Sequence, residues 1–230
     1  YSRNPTDPVY NADGSYYKVG REFNYENPLS VINNIDNLRD AKRINTNFKA
    51  DLMIIEGLIG SVNIGYIRND HESSYYRPKT VYTNPDMGHA SKGYNNNSQK
   101  LIEGLLNYST TINSNHNLDL LAGYSWQESI YSNFYAQGDN PQSDYIKYNN
   151  LGALLDINRE SIGSSKGEWT LIGFFARAQY NYDSKYFVSA SIRRDGSSKF
   201  GDNNKWGWFP TAALGWTINK EGFLADTDWL

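Results

Sequence analysis

The chain has 230 residues, 22 lysines and arginines against 25 aspartates and glutamates, a net charge of -3 and no cysteine. Disulfide scaffolds, zinc–thiolate centres and thiol nucleophiles are thereby excluded, and the near-balanced charge leaves no basic face for nucleic acid. Mean hydropathy is -0.69, and no run approaches the ~20 apolar residues of a membrane helix; a β-barrel stays open, because only alternate residues of its strands face lipid.

Aromatic residues make up 15% of the chain, skewed to 19 Tyr and 6 Trp against 9 Phe. Tyr and Trp favour places where one end is apolar and the other wet, such as membrane interfaces and sugar-binding surfaces. Tyr1-Ser2-Arg3-Asn4-Pro5 does not read as a charged segment leading into an apolar run, and Ala225-Asp226-Thr227-Asp228-Trp229 does not complete an alternating strand. The expectation is an internal part of a larger chain.

Residues 1–41 are rich in Asn, Asp, Pro and Tyr without a sustained period, so a loop is expected, with at most a short strand near Leu29-Ser30-Val31-Ile32. The first full strand is predicted over 43–55. Ile44, Phe48, Leu52 and Ile54 fall on even numbers, Asn45, Asn47, Lys49 and Asp51 on odd ones. One apolar and one polar row is the pattern of a half-buried strand. Glu56-Gly57 turns into a second strand over 58–68, followed by a long polar loop, 69–98. The third strand, 99–112, is the least regular, because Leu101 and Leu105 leave the even row that Ile102, Leu106 and Tyr108 keep.

Asn113-Ser114-Asn115-His116 is a polar turn. The fourth strand sets Leu118, Leu120, Ala122, Tyr124 and Trp126 against Asn117, Asp119, Gly123, Ser125 and Gln127. The longest loop, 130–168, leads to a fifth strand over 169–182. Asp183-Ser184-Lys185 turns into a sixth over 186–194. After a medium loop, 195–205, the seventh begins near Trp206, with Trp208, Pro210, Ala212, Leu214, Trp216 and Ile218 alternating with Phe209, Thr211, Ala213, Gly215 and Thr217.

Short turns follow strands one, three and five, and long loops follow strands two, four and six. All short turns thus lie on one rim and all long loops on the other, as in outer-membrane barrels. Glu56-Gly57, Ser114-Asn115 and Ser184 are therefore expected in the periplasm, and loops 69–98, 130–168 and 195–205 outside. Tyr180, Tyr182 and Tyr186 flank one short turn; Tyr66, Tyr124, Trp126 and Trp208 lie toward the long loops, as interfacial girdles would. Loops this polar are expected to need a scaffold, having no core of their own.

The last sixty residues carry a longer pattern: Ala176-Arg177-Ala178-Gln179-Tyr180-Asn181-Tyr182, Tyr186 with Ser189-Ala190-Ser191, Arg194-Asp195-Gly196-Ser197-Ser198-Lys199-Phe200-Gly201, Trp206-Gly207-Trp208-Phe209-Pro210 and Ala213-Leu214-Gly215-Trp216. These resemble the SusC/RagA family of TonB-linked outer-membrane transporters of Bacteroidetes. Asn27-Pro28-Leu29, Phe48 with Glu56-Gly57-Leu58, and His116-Asn117-Leu118 with Leu121-Ala122-Gly123-Tyr124 resemble it more loosely. The resemblance implies an all-β fold, about seven strands of a larger antiparallel transmembrane barrel of 22 strands around a plug. Residues 1–230 would be part of the barrel domain, with plug and remaining strands outside this chain. It also implies import of glycans or peptides, energy through TonB, a SusD-like surface lipoprotein as partner, contact with outer-membrane lipid, and no enzymatic activity. Seven strands left open would expose two unpaired edges to lipid, so the segment alone is not expected to transport.

Two other readings use the same residues. A soluble β-rich carbohydrate-binding module would bury the apolar rows in a core. A surface enzyme on a smaller barrel would need a catalytic constellation at the outer rim, with His71 or His89 as its raw material. The histidines, His71, His89 and His116, read as isolated in loops or turns and lack metal-ligand spacing. No cofactor or metal is expected. Asp139, Asp144, Asp156, Glu160 and Asn140 share the longest loop but form no calcium-binding loop motif. Gly57 and Gly60 fit turn and curvature roles, not a phosphate loop. Ser197-Ser198 lacks a nucleophile elbow; Asp195-Gly196 is expected to bend the chain at the strand's outer end. Arg193 is expected to face the lumen and Arg194 the outer rim. Tyr75, Tyr76, Tyr131, Phe134 and Tyr135 are the candidate contacts for substrate or partner in the outer loops. Rigid aromatic faces stack on sugars at low entropic cost, and the competing role is packing of the loops on one another.

Overall fold

A computed structural model describes residues 4, 6–18, 26–81 and 87–224. The described residues form one short α-helix, α1 (Pro28–Asn34), several single 3-10 turns, and eight strands: β1 (Asp36–Ile55), β2 (Leu58–Arg77), β3 (His89–Ile112), β4 (His116–Pro141), β5 (Leu154–Asp156), β6 (Ile162–Tyr182), β7 (Tyr186–Ser197) and β8 (Trp206–Trp216). They make one sheet in the order β1-β2-β3-β4-β6-β7-β8, with the three-residue β5 on β4. The registers of β4–β5, β6–β7 and β7–β8 are antiparallel. The all-β antiparallel sheet is the one the alternation predicts.

The three short turns fall at the predicted places. Gly57 (φ 79), Asn113 (φ 49), Ser114 (φ 64), Asp183 (φ 53) and Ser184 (φ 50) take left-handed backbone there, which glycine, Asn and Asp adopt most readily. Each turn is tied to the next strand or turn: Ser109 N of β3 donates to Gly57 O at 2.8 Å, Asp183 N to Asn115 O at 2.7 Å, and Thr217 N, just past β8, to Lys185 O at 2.8 Å.

The chain packs as two units. One comprises Tyr1–Arg43, Asn69–Asn97 and Tyr131–Gly167; the other comprises Ile44–Arg68, Ser98–Ile130 and Glu168–Leu230. The second unit coincides with the segments where apolar and polar residues alternate. The first coincides with what the sequence reads as loops, and there the expectation fails. β1 starts at Asp36, β2 continues to Arg77, β3 starts at His89, β4 runs to Pro141 and β6 starts at Ile162; in the second unit β7 likewise outruns its predicted end, to Ser197. Backbone pairing needs no alternation. The period appears only where the two faces meet different solvents, so a strand polar on both faces is invisible to a hydrophobicity pattern.

The first unit also has a core, contrary to expectation. Tyr76, Ala90 and Leu154 are buried together, with Tyr148 and Leu151 packed against them. This small cluster pins the segment between β4 and β6 back onto strand residues.

Residues 28–34 form a helix, not the short strand considered near Leu29. Asn27 caps it, its side chain accepting from Leu29 N, and Pro28 opens the first turn. Pro at that position loses no hydrogen bond and has its φ preset. The Asn27 amide also donates to Val9 O at 2.7 Å and Tyr17 O at 3.2 Å, which anchors the hairpin closed by the Tyr10–Tyr16 bridge.

Candidate functional site

Across β6, β7 and β8 even residues pair with even residues. Tyr180 lies opposite Val188 and Val188 opposite Leu214; Ala178, Ala190 and Ala212 form the next row, then Ala176, Ile192 and Pro210. One continuous apolar face results. Phe174, Leu214 and Trp216 stand 48, 85 and 53% exposed on it. They do not form the sealed core that a soluble sandwich would need.

The odd rows are hydrogen-bonded and polar. Arg177, Ser191 and Thr211 share one row and Gln179, Ser189 and Ala213 another. Ser61 donates to Asp51 at 2.5 Å, Asn63 to Glu103 at 2.8 Å, Ser109 to Asp119 at 2.6 Å and Thr111 to Asn117 at 2.8 Å. The odd-row exceptions are placed by glycines. A Cβ on Gly123 would lie 2.3 Å from the Phe175 ring, and Leu101 lies 3.5 Å from the Cβ position of Gly65.

Aromatic residues gather at both ends of this face. Near the short turns His116 meets the Tyr180 hydroxyl at 2.5 Å and the Tyr182 ring at 4.8 Å, while Tyr182 stacks on Tyr186 at 6.3 Å. Tyr186 OH and Trp216 Nε1 donate to Glu221 at 2.5 and 3.0 Å, and Lys185 bridges the same carboxylate at 2.6 Å. The Lys185 and Tyr186 hydrogen bonds hold the Glu221 carboxyl below its ordinary range. A lowered carboxyl pKa stabilises the folded state above about pH 4.3 and loses that contribution as pH falls through the lowered value. Glu221→Gln in the complete receptor is expected to lower thermal stability at neutral pH and to remove that acid-limb dependence. A melting curve against pH reads both.

At the other end Phe174 lies 5.2 Å from Tyr124 and 6.3 Å from Trp206. The motif 194–201 begins here, and its first residues do not bend. Asp195 pairs with Gly207 and Gly196 with Trp206 in the β7–β8 ladder. Gly196 is needed for close approach instead: a Cβ there would stand 2.8 Å from the Trp206 ring. Arg193 Nε donates to both Asp195 oxygens at 2.8 Å, an ion pair between two residues of β7. Ser198 Oγ accepts from Thr170 N at 2.8 Å. Ser197 N donates to Lys205 O at 2.9 Å, and Gly201 O accepts from Asn204 N at 2.9 Å. The two serines thus fix a turn. Phe200 is 60% exposed.

The candidate aromatics of the first unit are strand residues, not loop residues. Tyr75 and Tyr76 belong to β2; Tyr131, Phe134 and Tyr135 belong to β4. Tyr76 is 1% exposed and cannot stack on a ligand. Its hydroxyl donates to Asp144, and burial first, then that hydrogen bond, raise its pKa well above the ordinary tyrosine value. Tyr76→Phe is expected to free the segment 142–156, seen as faster amide exchange there, at a cost of about 1–2 kcal/mol. Tyr75 is half-buried, with its ring 5.8 Å from His89. Tyr131 and Tyr135 are exposed but lie across glycines, where a Cβ on Gly167 or Gly163 would come within 2.1 or 2.5 Å of their rings. Between them Asn133 accepts from Ser165 N at 2.8 Å. Aromatic residues across from strand glycines are legible once the register is known, and not before.

The histidines are also in strands, not in loops or turns: His71 in β2, His89 at the start of β3 and His116 at the start of β4. His89 Nδ1 meets Asp139 at 2.7 Å, and no metal-sized group of ligands occurs among the described residues. Two carboxylates of the longest predicted loop have different partners: Asp139 meets His89 and Asp144 accepts from Tyr76. Asp139 and Asp156 are opposite one another in the β4–β5 ladder, and Asn140 holds a left-handed backbone (φ 60).

A sheet with one continuous apolar face, one hydrogen-bonded polar face and aromatic residues at both ends defines the wall of a membrane β-barrel. The model of the family described as TonB dependent receptor-like, beta-barrel, matches residues 1–226, and the chain belongs to that family. It is 32% identical over 96% of its length to TonB-dependent receptor P3 of Formosa agariphila, covering 22% of that protein. It is 44% identical over 26% of its length to TonB-dependent receptor SusC of Bacteroides thetaiotaomicron, covering 6% of it. The fold matches the RagAB peptide importer in the 'open-open' state with a TM-score of 0.83 at 21% identity, over 94% of this chain and 24% of that one. The chain thus spans about a fifth of the length of the curated relatives that match most of it.

Proposed function

We propose that the chain is a wall segment of a larger outer-membrane barrel that imports glycans or peptides too large for a simple pore. The single observation that carries this reading is the parity of the register: even pairs with even, so the apolar residues make one unbroken lipid-facing surface. The polar rows then line the lumen, with short turns in the periplasm and the long connections on the other rim. Eight strands with two open edges cannot stand alone in hydrocarbon, so strands from elsewhere in the receptor close the barrel, and a plug fills it. The energy comes through TonB, and a SusD-like lipoprotein covers the outer opening. Membership of the TonB-dependent receptor family and the match to TonB-dependent receptor SusC support coupling to TonB, and the fold shared with a peptide importer supports the peptide class. The protein's work is selective passage, with no bond made or broken in the cargo.

Deleting the complete receptor from its host and measuring uptake of labelled oligosaccharides and oligopeptides tests the reading. Loss of one class, restored by the gene and not by a copy in which TonB coupling is disabled, is the expected result. Unchanged uptake of both classes and of growth on them overturns it.

A further inference from the structure

On five strands the even row turns charged where its apolar run ends: Arg68 on β2, Lys100 on β3, Glu128 on β4, Glu168 on β6 and Arg194 on β7. Lys100 and Glu128 neutralise one another at 2.9 Å. Arg194 is held in another way. Its guanidinium carbon lies 4.6 Å from the centre of the Trp206 ring and 5.1 Å from that of Trp208. The adjacent carboxylate, Asp195, is engaged by Arg193. Gly196 makes room for Trp206 beside the arginine.

Indole rings attract a cation through their faces but offer no oxygen to its N–H groups. The exposed edge of Arg194 keeps donors in a planar fork, which matches phosphate oxygens. Next to it is a hollow of about 450 Å³ lined by Ala122, Phe174, Ala176, Ile192 and Trp208. It shares Ala122, Ala176 and Ile192 with a second hollow of about 660 Å³, whose even-row lining adds Ala178, Ala190 and Leu120 and whose floor includes the odd residues Arg177, Ser191 and Thr211. Small side chains between larger ones thus leave an apolar trough that leads away from a cation.

We propose that Arg194, Trp206, Trp208 and this trough form a binding site for one anionic membrane phospholipid. Its phosphate sits on the Arg194 fork and an acyl chain lies over the alanines. The proposal rests on the reading that the even row faces the bilayer. It explains why a cation stands on an apolar row: a charge there is tolerated near the interface, and a headgroup phosphate compensates it.

The complete receptor, purified in detergent and examined by native mass spectrometry with phosphatidylglycerol and phosphatidylcholine of matched chains, tests the site. Both lipids offer the same phosphodiester to the fork, but the choline ammonium offsets its charge, so wild type is expected to retain the anionic lipid roughly 3-fold better than the zwitterionic one. Arg194→Gln is expected to abolish that preference and Arg194→Lys to keep part of it. Ala176→Leu, which fills the trough, is expected to weaken both lipids equally. Equal retention by Arg194→Gln and wild type overturns the site. Displacement by an equal concentration of inorganic phosphate also overturns it, as that would mark a free-anion site. A spin label at position 214 separates this failure from that of its premise. A label in water refutes the lipid-facing row itself; a label in hydrocarbon with an unaltered Arg194→Gln refutes only the lipid site. Heat-dependent gel mobility confirms that each variant is folded.

Discussion

Ala190→Lys is expected to destabilise the membrane-inserted barrel by roughly 2–4 kcal/mol, the scale found for lysine on a lipid-facing position near the bilayer midplane. Ala190 lies midway along β7 between the Tyr186–Trp216 row and the Arg194–Trp208 row, with Ala178 and Ala212 opposite it. Neither girdle is within easy reach of a lysine ammonium there. Ser189→Lys, one residue earlier, is expected to change stability by well under 1 kcal/mol. Its row holds Gln179 and Ala213, and the ammonium would enter the hydrated interior. Urea-dependent folding of the complete receptor into phospholipid vesicles measures both variants. Similar costs at 189 and 190, or a reversed order, would refute the assignment of faces.

Gly57→Ala is expected to cost on the order of 3 kcal/mol, unusually much for adding one methyl group. The backbone at Gly57 is left-handed, with φ 79, and a side chain there carries strain of about 1–2 kcal/mol. The added Cβ would also stand 2.5 Å from the Ser109 carbonyl oxygen. A backbone atom cannot rotate away as a side chain can. β3 would have to retreat, and the 2.8 Å bond from Ser109 N to Gly57 O would be lost with it. Gly104→Ala is the matched control, since its Cβ would meet nothing within 4 Å. The difference in folding midpoint between the two variants isolates the turn. An equal midpoint would mean that Gly57 does not hold the left-handed turn.

The wall of the fold was legible in the sequence because each strand there separates two different solvents. That asymmetry writes itself as a period of two, and Ile44, Phe48 and Leu52 or Val188, Ala190 and Ile192 can be read directly. The turns were legible for a local reason: Glu56-Gly57, Asn113-Ser114-Asn115 and Asp183-Ser184-Lys185 carry the residues that left-handed backbone requires. The candidate site was less legible. Tyr76 and Tyr131 look alike in a polar stretch, yet one is buried and donates to Asp144 while the other is exposed across Gly167. Nothing within a few residues of either distinguishes them.

The sequence by itself determined which residues form the apolar rows, where the short turns fall, that the segment is a β wall, and that it resembles TonB-linked transporters. Only the tertiary structure decided that β2, β3, β4 and β6 continue past the alternating region, that Asp195-Gly196 pairs in a ladder where a bend was expected, and that Arg194 lies between two indoles. The reason is physical. Periodicity and turn preference are set by a residue's own backbone and solvent, whereas strand extension and ring placement depend on partners tens of residues away in the chain.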